Sequence, residues 1–126
     1  MVDITPLVSA GQQIIQAYGP SGFRVSGVAH DGAVIVLPSR TSPWPVHDIS
    51  LLTPEDFALA DDPSGPPDVV LLGTGSRMVL PPPAVRQALR AAGIALEPMD
   101  TGAACRTYNV LMAEGRRVAA ALLPPS

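Results

Sequence analysis

The sequence has no lysine, a single cysteine and few charged residues, and each shortage argues against a class of protein. All eight basic residues are arginines, the net charge is −3, and the pI is near 5.1. Proteins that bind nucleic acids or anionic membranes concentrate positive charge on one surface, so neither is expected as a partner. One cysteine cannot form an internal disulfide, and it gives no sign of an oxidising compartment.

Long apolar runs and targeting signals are also missing. No uninterrupted apolar run approaches the ~20 residues that span a bilayer, so no transmembrane segment is expected. The first residues, MVDITPLVSAGQQII, have neither a basic start nor an apolar stretch followed by a cleavage site. Such a start is unlike a secretory signal, and we expect a cytoplasmic protein.

Aromatic residues make up only 4% of the chain, although hydrophobic residues make up 47%. Aliphatic side chains must therefore form most of the core. A chain of 126 residues can bury roughly two thirds of its unfolded surface, which is enough for a core without disulfides or metals. The length predicts a single domain over residues 1–126.

The first third of the chain predicts an antiparallel β-meander. Residues 12–18 form either a strand or a helical turn, because the apolar run is too short for periodicity to decide. A strand is expected over 23–29, and Asp31-Gly32 is a typical hairpin pair. Another strand is expected over 33–38, where Pro38 ends it.

The middle of the chain is rich in proline and predicts only short elements. Pro43 and Pro45 flank Trp44, which excludes a helix or a central strand at this point. A short strand is expected over 46–52. A short helix is expected from Thr53-Pro54, with threonine as the N-cap and proline in the first turn, and it breaks at 61–67.

From Asp68 onward the pattern changes to alternating strands and helices. The apolar run 68–73 is typical of a strand that is covered on both faces. Pro81–Pro83 open a helix that ends at Gly93. The elements that follow are a strand, a helix and a strand, over 94–99, 101–114 and 117–124. This β-α-β-α-β order predicts a parallel sheet with right-handed crossovers.

Gly73-Thr74-Gly75 directly follows a predicted strand, so a nucleotide-binding loop has to be considered. A dinucleotide fingerprint needs G-x-G-x-x-G opening into a helix, but the sixth position here is Met78 and the prolines delay the helix. A strand-ending turn that uses glycine for backbone freedom is the simpler interpretation. The loop still lies at a strand end, where parallel sheets commonly form a ligand crevice.

No catalytic or metal-binding set is evident in the sequence. His30, His47 and Cys105 lack the spacing of a zinc site, and no metal or other cofactor is expected. Cys105 lies near a predicted helix N-terminus, where a thiolate would be stabilised. The stretch Ala103-Ala104-Cys105 also fits a small-residue packing stripe, which is the simpler interpretation.

Arg106 is the most unusual residue of the segment DTGAACRTYN, residues 100–109. It lies in the second turn of a predicted helix, where a cation opposes the helix dipole. Asp100 or Thr101 can cap this helix. In one interpretation Arg106 pairs with an acid or with backbone carbonyls. In the other, its planar guanidinium binds a carboxylate or phosphate of a ligand or partner.

Several segments together resemble one small protein family. They are LLGTG at 71–75, GIALEPMDT at 93–101, AACRTYNVL at 103–111 and EGRRVAAALLP at 114–124, with GFRVSGVAHDGAVIVLP and the Trp44 segment upstream. This family includes the mitochondrial NADH dehydrogenase (complex I) assembly factor 3 proteins, an adipogenesis-associated domain protein of animals, and bacterial proteins of unknown function. The chain is similar to the bacterial members.

The resemblance implies a three-layer α/β fold with a mixed central sheet, a parallel C-terminal βαβαβ part and an antiparallel N-terminal β-meander. Together with the absence of a catalytic set, it favours a non-enzymatic protein-binding or assembly-accessory factor for a respiratory or membrane complex. Trp44 is the expected anchor, because tryptophan is enriched at interface hot spots. The alternative is a protein that binds an anion or nucleotide, or an enzyme, with its crevice at Gly73–Gly75, Asp100-Thr101 and Arg106.

Overall fold

The structure, a computed structural model, describes residues 2–3, 12–60 and 65–126, apart from the side chains of Asp3 and Leu59. Within these ranges the strands are β1 (Val2–Asp3), β2 (Ile15–Gly19), β3 (Gly22–Val25), β4 (Val28–Asp31), β5 (Val34–Val36), β6 (Thr41–Pro43), β7 (Val69–Gly73), β8 (Ala95–Met99) and β9 (Val118–Leu122). The helices are α1 (Pro83–Ala91), α2 (Thr101–Ala113) and the 3₁₀-helices Ile49–Leu51 and Pro54–Ala60. Much of the N-terminal segment and part of the 61–67 break lie outside the described residues.

The larger sheet has the strand order β6-β5-β9-β7-β8. Strands β7, β8 and β9 run parallel, whereas β5 pairs antiparallel with both β9 and β6. The predicted β-α-β-α-β unit is therefore confirmed, and the sheet is mixed as expected. β9 is buried along its whole length and β7 from its second residue onward, because both faces of these central strands are covered.

One face of this sheet is covered by α1 and by the 3₁₀-helix Pro54–Ala60. α1 begins with proline and ends before Gly93, whose φ of +82° is the left-handed conformation that commonly ends a helix. Val85 and Leu89 are the buried residues of α1. They share one apolar cluster with Phe57 and with Leu72 of the sheet.

The other face of the sheet packs against α2, and the smaller sheet joins the same cluster. The smaller sheet is antiparallel with the order β1-β2-β3-β4. Residues from α2, from β7 and β9, and from the smaller sheet form this cluster, among them Cys105, Tyr108, Leu71, Leu122, Ile15, Phe23 and Val25. The first strands of the predicted meander thus form a separate β-layer, whereas its last strand, β5, belongs to the larger sheet.

The predicted strand over 23–29 is wrong, because a tight turn at Ser26-Gly27 divides it into β3 and β4. Val25 pairs with Val28, and the two turn residues have φ values of +46° and +84°. Positive φ at both positions is typical of a type I′ hairpin. Ser26 is held there because its Oγ donates to Gln12 O (3.0 Å) and accepts from Ile14 N (2.9 Å).

Two further local predictions are wrong. Asp31-Gly32 does not form a hairpin, because it connects β4 with β5 and these strands belong to different sheets. The strand expected over 46–52 is replaced by the 3₁₀-helix Ile49–Leu51. Asp48 caps that helix by accepting hydrogen bonds from Ser50 N (2.9 Å) and Ser50 Oγ (2.7 Å), and these bonds lower the pKa of its carboxyl.

Candidate functional site

The two loops assigned to a crevice meet at the carboxyl edge of the parallel strands. Gly73–Gly75 ends and follows β7, and Asp100-Thr101 follows β8. Thr101 N donates to Gly75 O over 2.8 Å, and Gly75 N donates to Thr101 Oγ1 over 2.9 Å. The parallel arrangement therefore joins two loops that are distant in the sequence, as predicted for strand ends.

These loops bond to each other and to the segment after β9. Thr101 Oγ1 donates to Leu123 O (2.6 Å), and Leu123 N donates to Gly73 O (2.9 Å). Thr101 is fully buried, and a threonine hydroxyl has only one proton to donate. That proton is already used, so the strand ends form a closed polar joint at Thr101.

Gly73 is the tightest point of this joint. A Cβ on Gly73 would lie 2.8 Å from Leu122 Cδ2, 3.0 Å from Thr101 Oγ1 and 3.2 Å from Thr101 Cα. We expect Gly73→Ala to lower the free energy of unfolding by about 1–3 kcal/mol, because the backbone at Thr101 must shift. Urea denaturation followed by circular dichroism measures this change.

Gly102→Ala is the matched control, one residue beyond Thr101 in the first turn of α2. A Cβ on Gly102 would lie 2.6 Å from Tyr18 Oη and 3.3 Å from Arg106 Nη1, which are the far ends of side chains that can move. Alanine also favours the helix over glycine. We expect Gly102→Ala to cost less than Gly73→Ala, and equal losses for the two variants would contradict the tight joint at Gly73.

Arg106 lies on the exposed side of α2 and donates from Nη1 to Tyr18 Oη over 3.2 Å. The prediction that Arg106 pairs with an acid or a backbone carbonyl is wrong, because within the described residues its hydrogen-bond partner is the hydroxyl of Tyr18. Asp100 caps α2 as expected, because its carboxylate accepts from Ala103 N over 2.9 Å. Arg106 thus links α2 to β2 at the molecular surface.

Two further side chains of α2 hold β2 and the segment just before it, and neither was predicted from the sequence. Tyr108 Oη donates to Gln13 O over 2.9 Å. Asn109 is buried, and its amide donates to Ile15 O (2.8 Å) and accepts from Ile15 N (3.0 Å). The β2–β3 register shifts between Ile15 and Ala17, and Asn109 supplies the backbone partners at this irregularity. A lone asparagine in an apolar helical stripe was the available clue.

Trp44 is a core residue. Its side chain is 3% exposed, and its ring packs on Phe57 with the ring centroids 5.7 Å apart. The indole Nε1 donates to Asp56 O over 2.7 Å, which satisfies its polar atom inside the core. This burial corrects the expectation that Trp44 anchors a partner, because the ring has no free face to offer.

Cys105 is fully buried, which supports the packing interpretation over the nucleophile. Burial raises the pKa of its thiol to about 12, and the neighbouring Arg106 charge opposes this shift without overcoming it. The reactive thiolate is therefore scarce at neutral pH. We expect dithionitrobenzoate to leave the folded protein unlabelled and to label one thiol after unfolding. Labelling of the folded protein at the unfolded rate would contradict this burial.

The same burial makes the protein less stable at alkaline pH. Burial raises the pKa of the Cys105 thiol from 9.0 to about 12 and raises that of the Tyr108 hydroxyl as well. The unfolded chain therefore loses these protons at a lower pH than the folded chain. We therefore expect the free energy of unfolding to be fully retained below about pH 9 and to fall as the pH rises towards 12. Cys105→Ala should make this decline shallower in urea denaturation series at increasing pH.

An exposed apolar loop tip lies between β7 and α1, and it was not predicted from the sequence. Met78, Val79 and Leu80 are 52%, 40% and 64% exposed. The loop is fixed by the buried Thr74, whose Oγ1 accepts from Val79 N (3.0 Å) and donates to Arg77 O (2.7 Å). We call residues 77–80 the apolar tip. Three consecutive apolar residues inside a Gly/Ser- and Pro-rich loop were the available clue.

A cavity of about 260 Å³ lies beside the apolar tip, lined in part by Thr74, Gly75 and Ser76. Asp100, Thr101 and Arg106 are not among its lining residues, so the predicted site residues do not all surround one cavity. Within the described ranges, no group of three histidine, cysteine or acidic side chains could hold a metal ion. No helix in those ranges is long and apolar enough to cross a membrane.

A family model described as "Protein of unknown function (DUF498/DUF598)" matches residues 15–123 of the chain. The chain belongs to this family. Within the DUF498/DUF598 family, it is 39% identical over 115 residues to an uncharacterised protein of Rhodobacter capsulatus, covering 91% of this chain and 87% of that protein. It is 38% identical over 111 residues to NADH dehydrogenase (ubiquinone) 1 alpha subcomplex assembly factor 3 of Mus musculus.

The fold of this chain is similar to that of solved structures. A crystal structure of a Bordetella parapertussis protein matches with a TM-score of 0.82 and 39% identity, covering 92% of this chain and 98% of that one. The resemblance to the assembly factor 3 proteins and the three-layer α/β fold are therefore both confirmed. The match to the mouse assembly factor covers 88% of this chain but only 60% of the mouse protein.

Proposed function

We propose that this chain is a non-enzymatic, protein-binding factor that assists the assembly of a respiratory or other membrane complex. One observation carries the proposal: proteins named as NADH dehydrogenase assembly factors match nearly all of this chain at up to 39% identity. Such identity across the shared core supports a shared mode of action. The match covers only 60% of the mouse protein, so the proposal of a shared function applies to the matched domain alone.

The hydrogen bonds among the strand ends favour a function in protein contact more than one in ligand binding within a crevice. Thr101 uses its hydroxyl proton within the joint, while the apolar tip presents large side chains to solvent. A binding module for another protein needs exposed apolar area more than a deep polar cleft. We further propose that residues 1–126 act as one domain and that the protein works in the cytoplasm.

Genetic replacement in Rhodobacter capsulatus tests this function. The gene for its 39% identical relative is deleted, and this chain is expressed in its place. We expect the deletion to lower the amount of assembled NADH dehydrogenase on native gels and this chain to restore it. Normal assembly in the deletion strain would contradict the proposal, as would a failure of this chain to restore assembly although it accumulates in folded form.

A second candidate function is the binding of an anion or nucleotide at Gly73–Gly75, Asp100-Thr101 and Arg106. One observation favours it: the Arg106 guanidinium is exposed on the first turns of α2, and helix N-termini attract anions. A thermal-shift screen with phosphate, nucleotides and carboxylates tests it. Stabilisation by one of these that disappears in Arg106→Ala would support this function, and stabilisation unchanged in that variant would remove the site.

A further inference from the structure

The apolar tip is the one place in the described chain where large exposed apolar side chains are consecutive. Val2, Val28, Leu51 and Val110 are also exposed, but no two of them are adjacent in the sequence. Isolated exposed apolar residues are ordinary on protein surfaces, whereas contiguous ones mark interaction sites. The tip is therefore a candidate contact surface, whereas the isolated residues are not.

The tip is exposed along its length and is anchored by hydrogen bonds. Met78, Val79 and Leu80 are all exposed, and Arg77 and Val79 also line the cavity of about 260 Å³. Thr74 fixes the loop from below through two hydrogen bonds. Pro81–Pro83 restrict the backbone on its other side. A loop anchored in this way loses less conformational entropy on binding than a free loop does.

Arg77 gives this tip a positive charge. The side chain of Arg77 is exposed, and no ion-pair partner for it lies within the described residues. The chain as a whole has a net charge of −3, so the tip carries the opposite sign from its parent molecule. The complementary surface is therefore an apolar recess with a carboxylate at its rim.

A lipid surface fits these observations less well than a protein. Even a single myristoyl chain gives only marginal membrane binding, and three partly exposed side chains offer less apolar area. The net charge of −3 also opposes attraction to anionic lipids. A protein recess can enclose the tip on several sides and place one acid opposite Arg77.

We propose that the apolar tip inserts into an apolar recess of a protein partner, with Arg77 facing a carboxylate at the rim. This inference rests on the proposed function, in which the chain acts by binding a protein. It assigns the contact to the loop between β7 and α1, on the edge where the parallel strands end.

Site-specific photo-crosslinking tests the inference in the Rhodobacter capsulatus strain that carries this chain in place of its relative. The photoreactive residue p-benzoylphenylalanine replaces Leu80 in one variant and Leu51, which is even more exposed, in the control. We expect a covalent adduct with one protein from position 80, at about tenfold the yield from position 51. Arg77→Glu should lower that yield about tenfold, whereas Arg90→Glu on α1 should leave it unchanged.

The adduct is identified by mass spectrometry, and a carboxylate of that partner near the crosslink is replaced by lysine. Restored crosslinking to Arg77→Glu is the result expected from the proposed charge pair. Equal yields at positions 80 and 51, adducts with lipid alone, or indifference to Arg77→Glu would overturn the inference. If this chain restores assembly but no adduct forms at Leu80, the proposed contact at the tip is wrong and the proposed function is supported. If the adduct forms but deletion leaves assembly normal, the function fails and the tip stands.

Discussion

Replacing Trp44 by alanine is expected to lower the free energy of unfolding by about 3–5 kcal/mol, one of the largest losses for a single side chain in this protein. The ring is 3% exposed and packs on Phe57, so its removal leaves a cavity. The hydrogen bond from Nε1 to Asp56 O is lost as well. Urea denaturation of the purified variant measures the effect. Circular dichroism is the signal, because the variant has no tryptophan left for fluorescence.

Leu51→Ala is the control for this prediction. Leu51 is a large apolar residue in the same part of the chain, but it is 74% exposed. We expect its replacement to change stability by no more than about 0.5 kcal/mol. A Trp44→Ala variant as stable as Leu51→Ala would contradict the placement of Trp44 in the core and would reopen its role as a partner anchor.

Asn109→Leu is expected to cost about 2–5 kcal/mol, although leucine is similar in size and favours helices. The substitution leaves the backbone N–H and C=O of Ile15 without their side-chain partner in a buried place. Each unsatisfied buried group costs about 1–3 kcal/mol. Urea denaturation gives the total loss, and hydrogen exchange at the Ile15 amide shows whether β2 separates from α2.

Val110→Ala is the matched control in the same turn of α2. Val110 is 57% exposed, and alanine has the higher helix propensity, so we expect stability to be unchanged or slightly higher. If Asn109→Leu loses less than about 1 kcal/mol and the Ile15 amide remains protected, the amide of Asn109 does not hold β2.

The C-terminal half of the fold could be predicted because its local patterns and its tertiary packing agree. The apolar run of β7 matches its burial between two layers, and the prolines before α1 and the left-handed Gly93 mark the ends of that helix. These features depend on residues close together in the sequence. Consistency between local preference and tertiary environment is what makes such a segment readable.

The N-terminal half was harder to predict because distant contacts decide its turns. Ser26 adopts a positive φ because it bonds to Gln12 and Ile14, which lie just before β2 and 12 to 14 residues away in the sequence. Asp31-Gly32 has the composition of a hairpin pair, but the chain passes there from one sheet to the other. Local turn preferences alone cannot distinguish these two pairs.

Part of the candidate site could also be predicted from the sequence. The rule that parallel strands end at one edge correctly brought Gly75 and Thr101 together. The partner of Arg106 could not be found in the same way, because Tyr18 lies 88 residues away on a strand of the other sheet. The role of Trp44 was also predicted wrongly. Its ring packs on Phe57 and its Nε1 donates to Asp56 O, and neither contact is visible from the sequence around Trp44.

We propose that the chain works through protein contact at the apolar tip and not through the strand-end crevice. The most direct measurement is the amount of assembled NADH dehydrogenase in Rhodobacter capsulatus lacking its relative and carrying one of two variants. Leu80→Ser removes the most exposed apolar side chain of the tip, and Arg106→Ala removes the exposed cation beside the crevice. We predict that Arg106→Ala restores assembly as the unmodified chain does and that Leu80→Ser fails to do so. Restoration by Leu80→Ser would contradict the role of the tip, and failure of a folded Arg106→Ala variant would contradict the exclusion of the crevice.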